Sequence, residues 1–179
     1  MMNKSQPEIA YGFPFIARSD RSYFAFMLMN NVLGQYALGG RLGDSIRERQ
    51  GMAYSVWSSF DASTIAGPFM VRAGVTAANV ERAIASVDDE LQSLRRMGVT
   101  GREMAESRRY ISGSMPHLLE TNAGIAGFLQ NAEFFGLGLD YDRRLPTLLM
   151  MVTIDDVNAA AAALDPAHAT VVVAGPYQR

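Results

Sequence analysis

Four stretches of the chain carry the two-residue apolar–polar period or the short apolar run of a β-strand. The first is Glu8–Ala17. A pair follows in the first half of the chain, Ala53–Phe60 and Pro68–Val75, separated by a glycine-containing turn. The last is Ala169–Ala174. The pair joined by a short turn predicts two neighbouring antiparallel strands.

Helical periods of three and four residues fill most of the remaining chain. Arg21–Leu33 is apolar nearly all round, so we expect this helix to be buried. A short helix is predicted at Arg41–Gln50, where Gly51 stops it. Further helices are predicted from Ala78 to Gly98, from Thr100 to Leu119, at Ala123–Phe135, between Asp140 and Met151, and from Thr153 to just before Asp165.

The starts of two helices carry capping signals. Thr100 with Glu103, and Thr153 with Asp156, have the spacing of a capping box. Pro146 must start or kink its helix because proline has no N–H to donate.

Paired strands followed by a block of helices indicate an α+β fold, with helices covering one face of a mainly antiparallel sheet. No internal repeat or linker interrupts residues 1–179, so a single α+β domain is predicted.

The composition of the chain excludes several classes of function. The chain has 179 residues, of which 49% are hydrophobic and 19% charged, with a net charge of −2 and no cysteine. This charge gives no reason to expect nucleic acid or an anionic membrane as a partner. Thiol nucleophiles and thiolate metal sites are excluded, and no apolar run approaches the roughly 20 residues that span a bilayer.

The first residues do not resemble a signal peptide, since "MMNKSQPEIA" lacks a basic and then apolar layout. A strand begins almost at once, which suggests a domain cut from a longer protein or one gene of a split pair. The compartment stays open between the periplasm and the cytoplasm of a bacterium.

No complete catalytic set is found among the residues. "HLLET", at residues 117–121, begins like an inverted zinc motif, but Thr121 stands where the second histidine is needed, so His117 is interpreted as an ordinary helix residue. His168 is interpreted as a loop residue. No phosphate-binding loop or nucleophile elbow occurs. The arginine pairs at 95–96 and 108–109 are interpreted as solvated helix surface.

The stretch "GRLGDSIRERQGMAYSV", residues 40–56, resembles a family signature. It is similar to the pattern S-R-L-x-x-x-I-R-E-x-x-G-L-A-Y-S-V of the zinc-free half of pitrilysin-family metallopeptidases, which include insulysin and the mitochondrial processing peptidase. Two later segments, "GVTGREMAESRRYISGSMPHLLET" and "VTIDDVNAAAAALDPAHATVVVAGP", look like further family segments in the right order. The resemblance therefore covers essentially the whole chain and implies the processing-peptidase-like fold.

The resemblance implies a specific function. A zinc-free half of this family binds no cofactor itself and closes over a peptide substrate. Its partner half carries zinc on the motif H-x-x-E-H and lies on the same chain or in a separate subunit. By motif position Arg47 and Tyr54 would reach into the partner's active site and donate hydrogen bonds to the reacting carbonyl. The isolated chain would cleave nothing, and it could pair with itself through the surface that normally meets its partner.

Alternatives stay open at each of these residues. Arg47 could be a surface arginine paired with Glu48 or Asp44, and Tyr54 an ordinary strand aromatic. Gly39, Gly40 and Arg41 are candidate peptide-contact residues, because the glycine cluster is similar in position to the glycine-rich substrate loop of the processing peptidase, although it could be a simple turn. The rival function is a structural or peptide-holding module without a catalytic role.

Overall fold

A computed structural model describes residues 6–35 and 40–177, without the side chain of Gln35. The strands are β1 (Glu8–Pro14), β2 (Ala53–Phe60), β3 (Pro68–Val75) and β4 (Thr170–Ala174). The α-helices are α1 (Tyr23–Asn30), α2 (Val80–Met97), α3 (Gly101–Leu118), α4 (Asn122–Phe134), α5 (Tyr141–Met151) and α6 (Ile154–Ala162). Wider π-helical segments occupy Asn31–Gln35 and Gly43–Arg49, and short 3-10 turns occupy Ala77–Asn79 and Pro166–His168.

The four strands form one antiparallel sheet in the order β2-β3-β1-β4. In the centre of the sheet Tyr11 of β1 lies opposite Val71 of β3 and Val171 of β4. The predicted α+β class with a mainly antiparallel sheet is confirmed. The first strand ends at Pro14, earlier than predicted, at the point where Pro14 lies opposite Pro68. Neither proline has an N–H with which to extend the ladder.

The helices lie on one face of this sheet. Ile9, Tyr11 and Phe13 point toward them and are each less than 5% exposed, whereas the residues between them are only partly covered. The Tyr11 hydroxyl donates to Asp88 on α2 at 2.6 Å, and burial of the ring together with this carboxylate raises the pKa of Tyr11. The sheet therefore presents its opposite face as a surface on which Tyr54 and Trp57 are exposed.

Both predicted capping boxes are confirmed. The backbone N–H of Glu103 donates to the Thr100 hydroxyl at 3.2 Å, and Thr100 N–H donates back to Glu103 Oε2 at 2.7 Å. Thr153 and Asp156 exchange the same pair of bonds at 3.1 and 2.8 Å. Each box satisfies backbone donors that have no partner inside the helix.

Two predicted helices differ in type from the structure. The buried helix is α-helical only to Asn30 and then widens, and the short helix before Gly51 is π-helical over Gly43–Arg49. Pro146 lies in the interior of α5 and does not start it, so of the two predicted effects of this proline only a kink stays a prediction. An apolar pattern of three and four residues carries no information on whether a turn closes at i+4 or i+5, so these widenings could not be predicted.

The prediction that Arg108 is solvated surface is wrong. Its Nε donates to the Leu149 carbonyl at 3.1 Å, and its Nη2 donates to the Val152 carbonyl. The last carbonyls of a helix have no intrahelical donor. Arg108 on α3 supplies donors to these groups at the end of α5, so it is a packing residue between the two helices.

No single helix of the described chain is both long and apolar enough to cross a bilayer; only the bent pair Tyr141–Met151 and Ile154–His168, meeting at 84°, has that length and composition when taken together.

Candidate functional site

The π-helical segment Gly43–Arg49 turns directly into β2, and we call residues 43–56 the corner. Leu42 and Ile46 are fully buried and anchor the segment to the core. Gly51 has a φ of +61°, a conformation that L side chains rarely adopt. Its N–H donates to the Arg47 carbonyl at 3.0 Å, and the next N–H donates to the Ile46 carbonyl at 3.0 Å. Apolar anchors and backbone hydrogen bonds therefore hold this corner in a defined shape.

The Arg47 side chain projects from the corner and is 40% exposed. Its Nε lies 3.4 Å from the Glu48 carboxylate, which is itself exposed. The Asp44 carboxylate pairs instead with Arg49, at 3.1 Å, and Arg49 also reaches Glu90. Exposed ion pairs contribute only about 0–1 kcal/mol, so the Arg47 guanidinium is held weakly enough to exchange its partner.

Tyr54 is placed by a β-bulge at the start of β2. Ala53 pairs with Val75 and Ser55 pairs with Gly74, which leaves Tyr54 as the extra residue. A Cβ atom on Gly74 would lie 2.1 Å from the Tyr54 ring. The ring therefore lies directly on the backbone of Gly74, and only glycine provides that space.

The Tyr54 hydroxyl donates to the Glu8 carboxylate of β1. Glu8 faces Gly74 in the β1–β3 register, so the phenol crosses β3 to reach it. This hydrogen bond is the main cause that raises the pKa of Tyr54 above its ordinary value. The phenol stays protonated at neutral pH and is 51% exposed. It can donate one hydrogen bond, and in this structure Glu8 accepts it.

Arg41 is bound inside the molecule. Its Nε and Nη2 donate to the two oxygens of Glu103 at 2.7 and 2.8 Å, and Nη2 also donates to the Gly98 carbonyl at 2.8 Å. Burial alone would raise the pKa of Glu103, but the hydrogen bonds from Arg41 and Thr100 lower it to about 2. Arg41 therefore joins the start of the corner segment to the junction of α2 and α3.

The other two predicted peptide-contact residues are glycines. Gly39 lies outside the described residues. Gly40 lies against Gly34, because a Cβ on Gly40 would come 2.8 Å from the Gly34 Cα. Its carbonyl accepts from the Asp44 N–H at 2.9 Å. Peptide contact by Gly39, Gly40 or Arg41 stays a prediction.

The two histidines lie apart from the corner in sequence and have local partners. His117 Nδ1 lies 2.9 Å from Glu120, and His168 Nδ1 lies 2.6 Å from Asp165. Thr121, which occupies the place of the missing second histidine, caps α4 by accepting from the Gly124 N–H at 3.0 Å. Within residues 6–35 and 40–177, no three acidic or histidine side chains converge in a way that could hold a metal ion.

Two residues that position Tyr54 were missed by the sequence reasoning, Glu8 and Gly74. A lone glycine inside a strand is a known signal of close backbone approach, so Gly74 could have been noticed. Glu8 could not, because its contact with Tyr54 depends on the strand order and on the bulge. Neither feature is encoded in a local pattern.

Comparison with known proteins gives a consistent result. The profile of a family described as "Peptidase M16 inactive domain" matches residues 1–111. An uncharacterized zinc protease of Streptomyces coelicolor is 29% identical over 174 residues, which is 97% of this chain and 38% of that protein. A Helicobacter pylori protein named a non-peptidase homolog is 24% identical over 154 residues, 86% of this chain and 35% of its own.

Among solved structures, a peptidase M16 inactive domain from Pseudomonas fluorescens superimposes with a TM-score of 0.85 and 30% identity. That match covers 98% of this chain and 42% of the solved one. The chain thus spans about two fifths of the length of the curated relatives it matches.

Proposed function

Because the chain belongs to the peptidase M16 inactive-domain family, we propose that it is the zinc-free half of a metallopeptidase. In this proposal it meets a zinc-bearing half, on the same polypeptide or as a separate subunit, and closes over a peptide substrate. Arg47 and Tyr54 then act in the partner's active site. In this proposal the zinc lies on the partner half, as the family resemblance implies, and this domain carries no cofactor; the described residues contain no cluster of three that could hold a metal ion.

One observation carries the proposal: the two motif residues Arg47 and Tyr54 are exposed hydrogen-bond donors on a backbone that is anchored to the core. Leu42 and Ile46 are fully buried beneath them, whereas the Arg47 side chain is 40% exposed and Tyr54 is 51% exposed. Donors on a rigid support can stabilise developing charge without reorganising at the moment of reaction.

The chemistry that suits these donors is carbonyl addition. Zinc in the partner half would supply a polarised carbonyl and an activated water. Arg47 offers a permanently charged donor, and Tyr54 offers a phenol O–H, which is protonated at neutral pH because the ordinary pKa of tyrosine is about 10. Both can donate to an oxyanion that forms on the peptide. To do so, Tyr54 must give up its hydrogen bond to Glu8, and Arg47 must give up its ion pair with Glu48.

The peptide is proposed to add as a strand to an edge of the sheet. The outer strands β2 and β4 each pair with one neighbour among the described residues. Their remaining backbone groups can bind an extended chain without regard to its sequence. Specificity would then come from the partner half and from the size of the closed space.

The test is peptide cleavage by this chain combined with its zinc-bearing partner half. Arg47→Ala and Tyr54→Phe should each lower kcat roughly 100-fold, as expected for losing one oxyanion donor. Arg49→Ala is the matched arginine control, because it lies on the same segment and pairs with Asp44. Tyr177→Phe is the matched tyrosine control, because Tyr177 also donates to a glutamate, Glu81.

The second candidate is a structural or peptide-holding module without a catalytic role. It is favoured by the fact that both donors already have partners, Glu8 for Tyr54 and Glu48 for Arg47. The relative named a non-peptidase homolog is consistent with it. If Arg47→Ala and Tyr54→Phe both keep the parental kcat, the donor proposal is eliminated and the non-catalytic module is the function that is left.

A further inference from the structure

A large cleft lies away from the corner, between α1, the hairpin of α3 and α4, and the turn after β2. Its volume is about 810 Å³, within the range of pockets that hold small ligands. Its walls are mostly apolar and aromatic, and they include Met27, Phe60, Phe128, Phe135 and Leu145. No residue of the corner lines it.

The wall of the cleft includes Arg18, a cation that forms no ion pair with the described residues. The Arg18 guanidinium stacks on the Tyr23 ring at 3.7 Å from its centroid and donates to the Tyr141 hydroxyl at 3.2 Å. No carboxylate of the described chain forms an ion pair with Arg18. Asp61 also lines the cleft but lies on its exposed turn. Arg18 is half-buried, so a ligand carboxylate that reached its guanidinium would form a charge-assisted hydrogen bond.

The Asn31 amide borders the same cleft and has a donor that is unpaired among the described residues. Asn31 is 1% exposed, and its Nδ2 forms no hydrogen bond. Buried amide donors are nearly always paired, because an unpaired one loses the hydrogen bond that water gave it. A ligand that brings a carbonyl oxygen to this position would satisfy it.

The placement of these groups along the cleft suits a ligand of a few residues. Tyr23, Met27 and Asn31 follow one another at four-residue intervals and line the same cleft. The backbone of Asn31 lies eight residues, or about 12 Å along the helix, from that of Tyr23, on whose ring Arg18 stacks. An extended peptide covers that distance in about three to four residues. Arg18 therefore suits a terminal carboxylate, Asn31 a carbonyl a few residues before it, and the apolar walls the side chains between.

We propose that this cleft binds the C-terminal segment of an apolar peptide, with the terminal carboxylate on Arg18 and a backbone carbonyl on Asn31. The choice of a peptide as the ligand rests on the proposed function. The cleft and its polar groups do not depend on that proposal. Such a site would hold the end of a substrate or of a cleaved product while the corner acts elsewhere. It needs no metal and no partner half.

The experiment is calorimetric titration of the 179-residue chain with an acetylated Ala-Leu-Phe-Leu peptide, as the free acid and as the C-terminal amide. The acid should bind about tenfold more tightly than the amide. Arg18→Met should remove that difference, and the exposed Arg21→Met should keep it. Asn31→Leu should weaken both peptides while raising the melting temperature, because it removes an unpaired buried donor.

Equal affinity of acid and amide for the parental chain, or no binding of either, would overturn the proposal. A difference that survives Arg18→Met would overturn it too. If Arg18→Met does not fold, the acid–amide comparison on the parental chain decides alone. Since the titration contains no zinc half, its failure leaves the effects of Arg47 and Tyr54 on cleavage intact, and the reverse also holds.

Discussion

Two arginines on one short segment, Arg41 and Arg47, are held in opposite ways. Arg41 is 19% exposed at its side chain and makes three charge-assisted hydrogen bonds to Glu103 and the Gly98 carbonyl. Arg47 is 40% exposed and approaches one exposed carboxylate at 3.4 Å. The same residue type thus serves the fold at one position and is left available at the other. The difference shows that Arg41 stabilises the corner, whereas the corner leaves the Arg47 side chain exposed to solvent.

The largest expected effect comes from the support of Tyr54. Gly74→Ala places a methyl group where the ring now lies, since the nearest ring atom is 2.1 Å from that Cβ. The ring must move off β3, so kcat of the assembled peptidase should fall roughly 100-fold, as for loss of the donor itself. Steady-state cleavage of a fluorogenic peptide measures this.

A matched glycine provides the control for that prediction. Gly113 in α3 has nothing within 4 Å of an added Cβ, so Gly113→Ala should keep the parental kcat. If Gly74→Ala also keeps it, the position of the Tyr54 ring is irrelevant to turnover.

The next effect concerns stability. Arg41→Met should lower the free energy of unfolding by about 2 kcal/mol, because it leaves the half-buried Glu103 carboxylate with one partner fewer. Arg47→Met should change it by less than about 0.5 kcal/mol, as for an ordinary surface substitution. Urea unfolding followed by circular dichroism compares the two. Equal losses would contradict the distinction between them.

Low pH should selectively reduce the stability that the Arg41–Glu103 ion pair contributes. The pKa of Glu103 is about 2 in the folded chain against an ordinary value of 4.5. A lowered carboxyl pKa adds stability that is complete above about pH 4.5 and is lost as the pH falls toward 2. The stability advantage of the parental chain over Glu103→Gln should shrink across that window in thermal melts. An advantage independent of pH would show that the ion pair is not its source.

The smallest effect is on the phenol itself. Glu8→Gln removes the carboxylate that raises the pKa of Tyr54, so this pKa should return toward 10.0. Ultraviolet difference titration against Tyr54→Phe isolates this one of the seven tyrosines. An unchanged Tyr54 titration would mean that the hydrogen bond to Glu8 does not persist in solution.

The sequence predicted the local features of the fold well and the long-range ones poorly. The bounds of β2 and β3 are confirmed to the residue, and so are both capping boxes, because each depends on residues adjacent or three apart. Glu103 was recognised only as a cap; its second partner, Arg41, lies 62 positions away. A contact of that kind depends on how α2, α3 and the corner segment pack together.

The residues of the candidate site likewise fall into those that a local motif indicates and those that only long-range packing brings together. Arg47 and Tyr54 were proposed from their motif; the structure places both on the corner with exposed side chains, and their role stays a prediction. Glu8 and Gly74 were missed because strand order and the bulge bring them to Tyr54. The cleft at Arg18 was missed as well, since its walls come from helices and a turn that are far apart in sequence.

The most direct test of the central claim is the cleavage rate of the zinc half combined in turn with the parental chain, Arg47→Ala and Arg49→Ala, at saturating peptide. Arg47→Ala should be roughly 100-fold slower than the parental chain, with the same melting temperature. Arg49→Ala should match the parental rate. An Arg47→Ala assembly that cleaves at the parental rate would contradict the claim that the corner presents this arginine to the partner's active site.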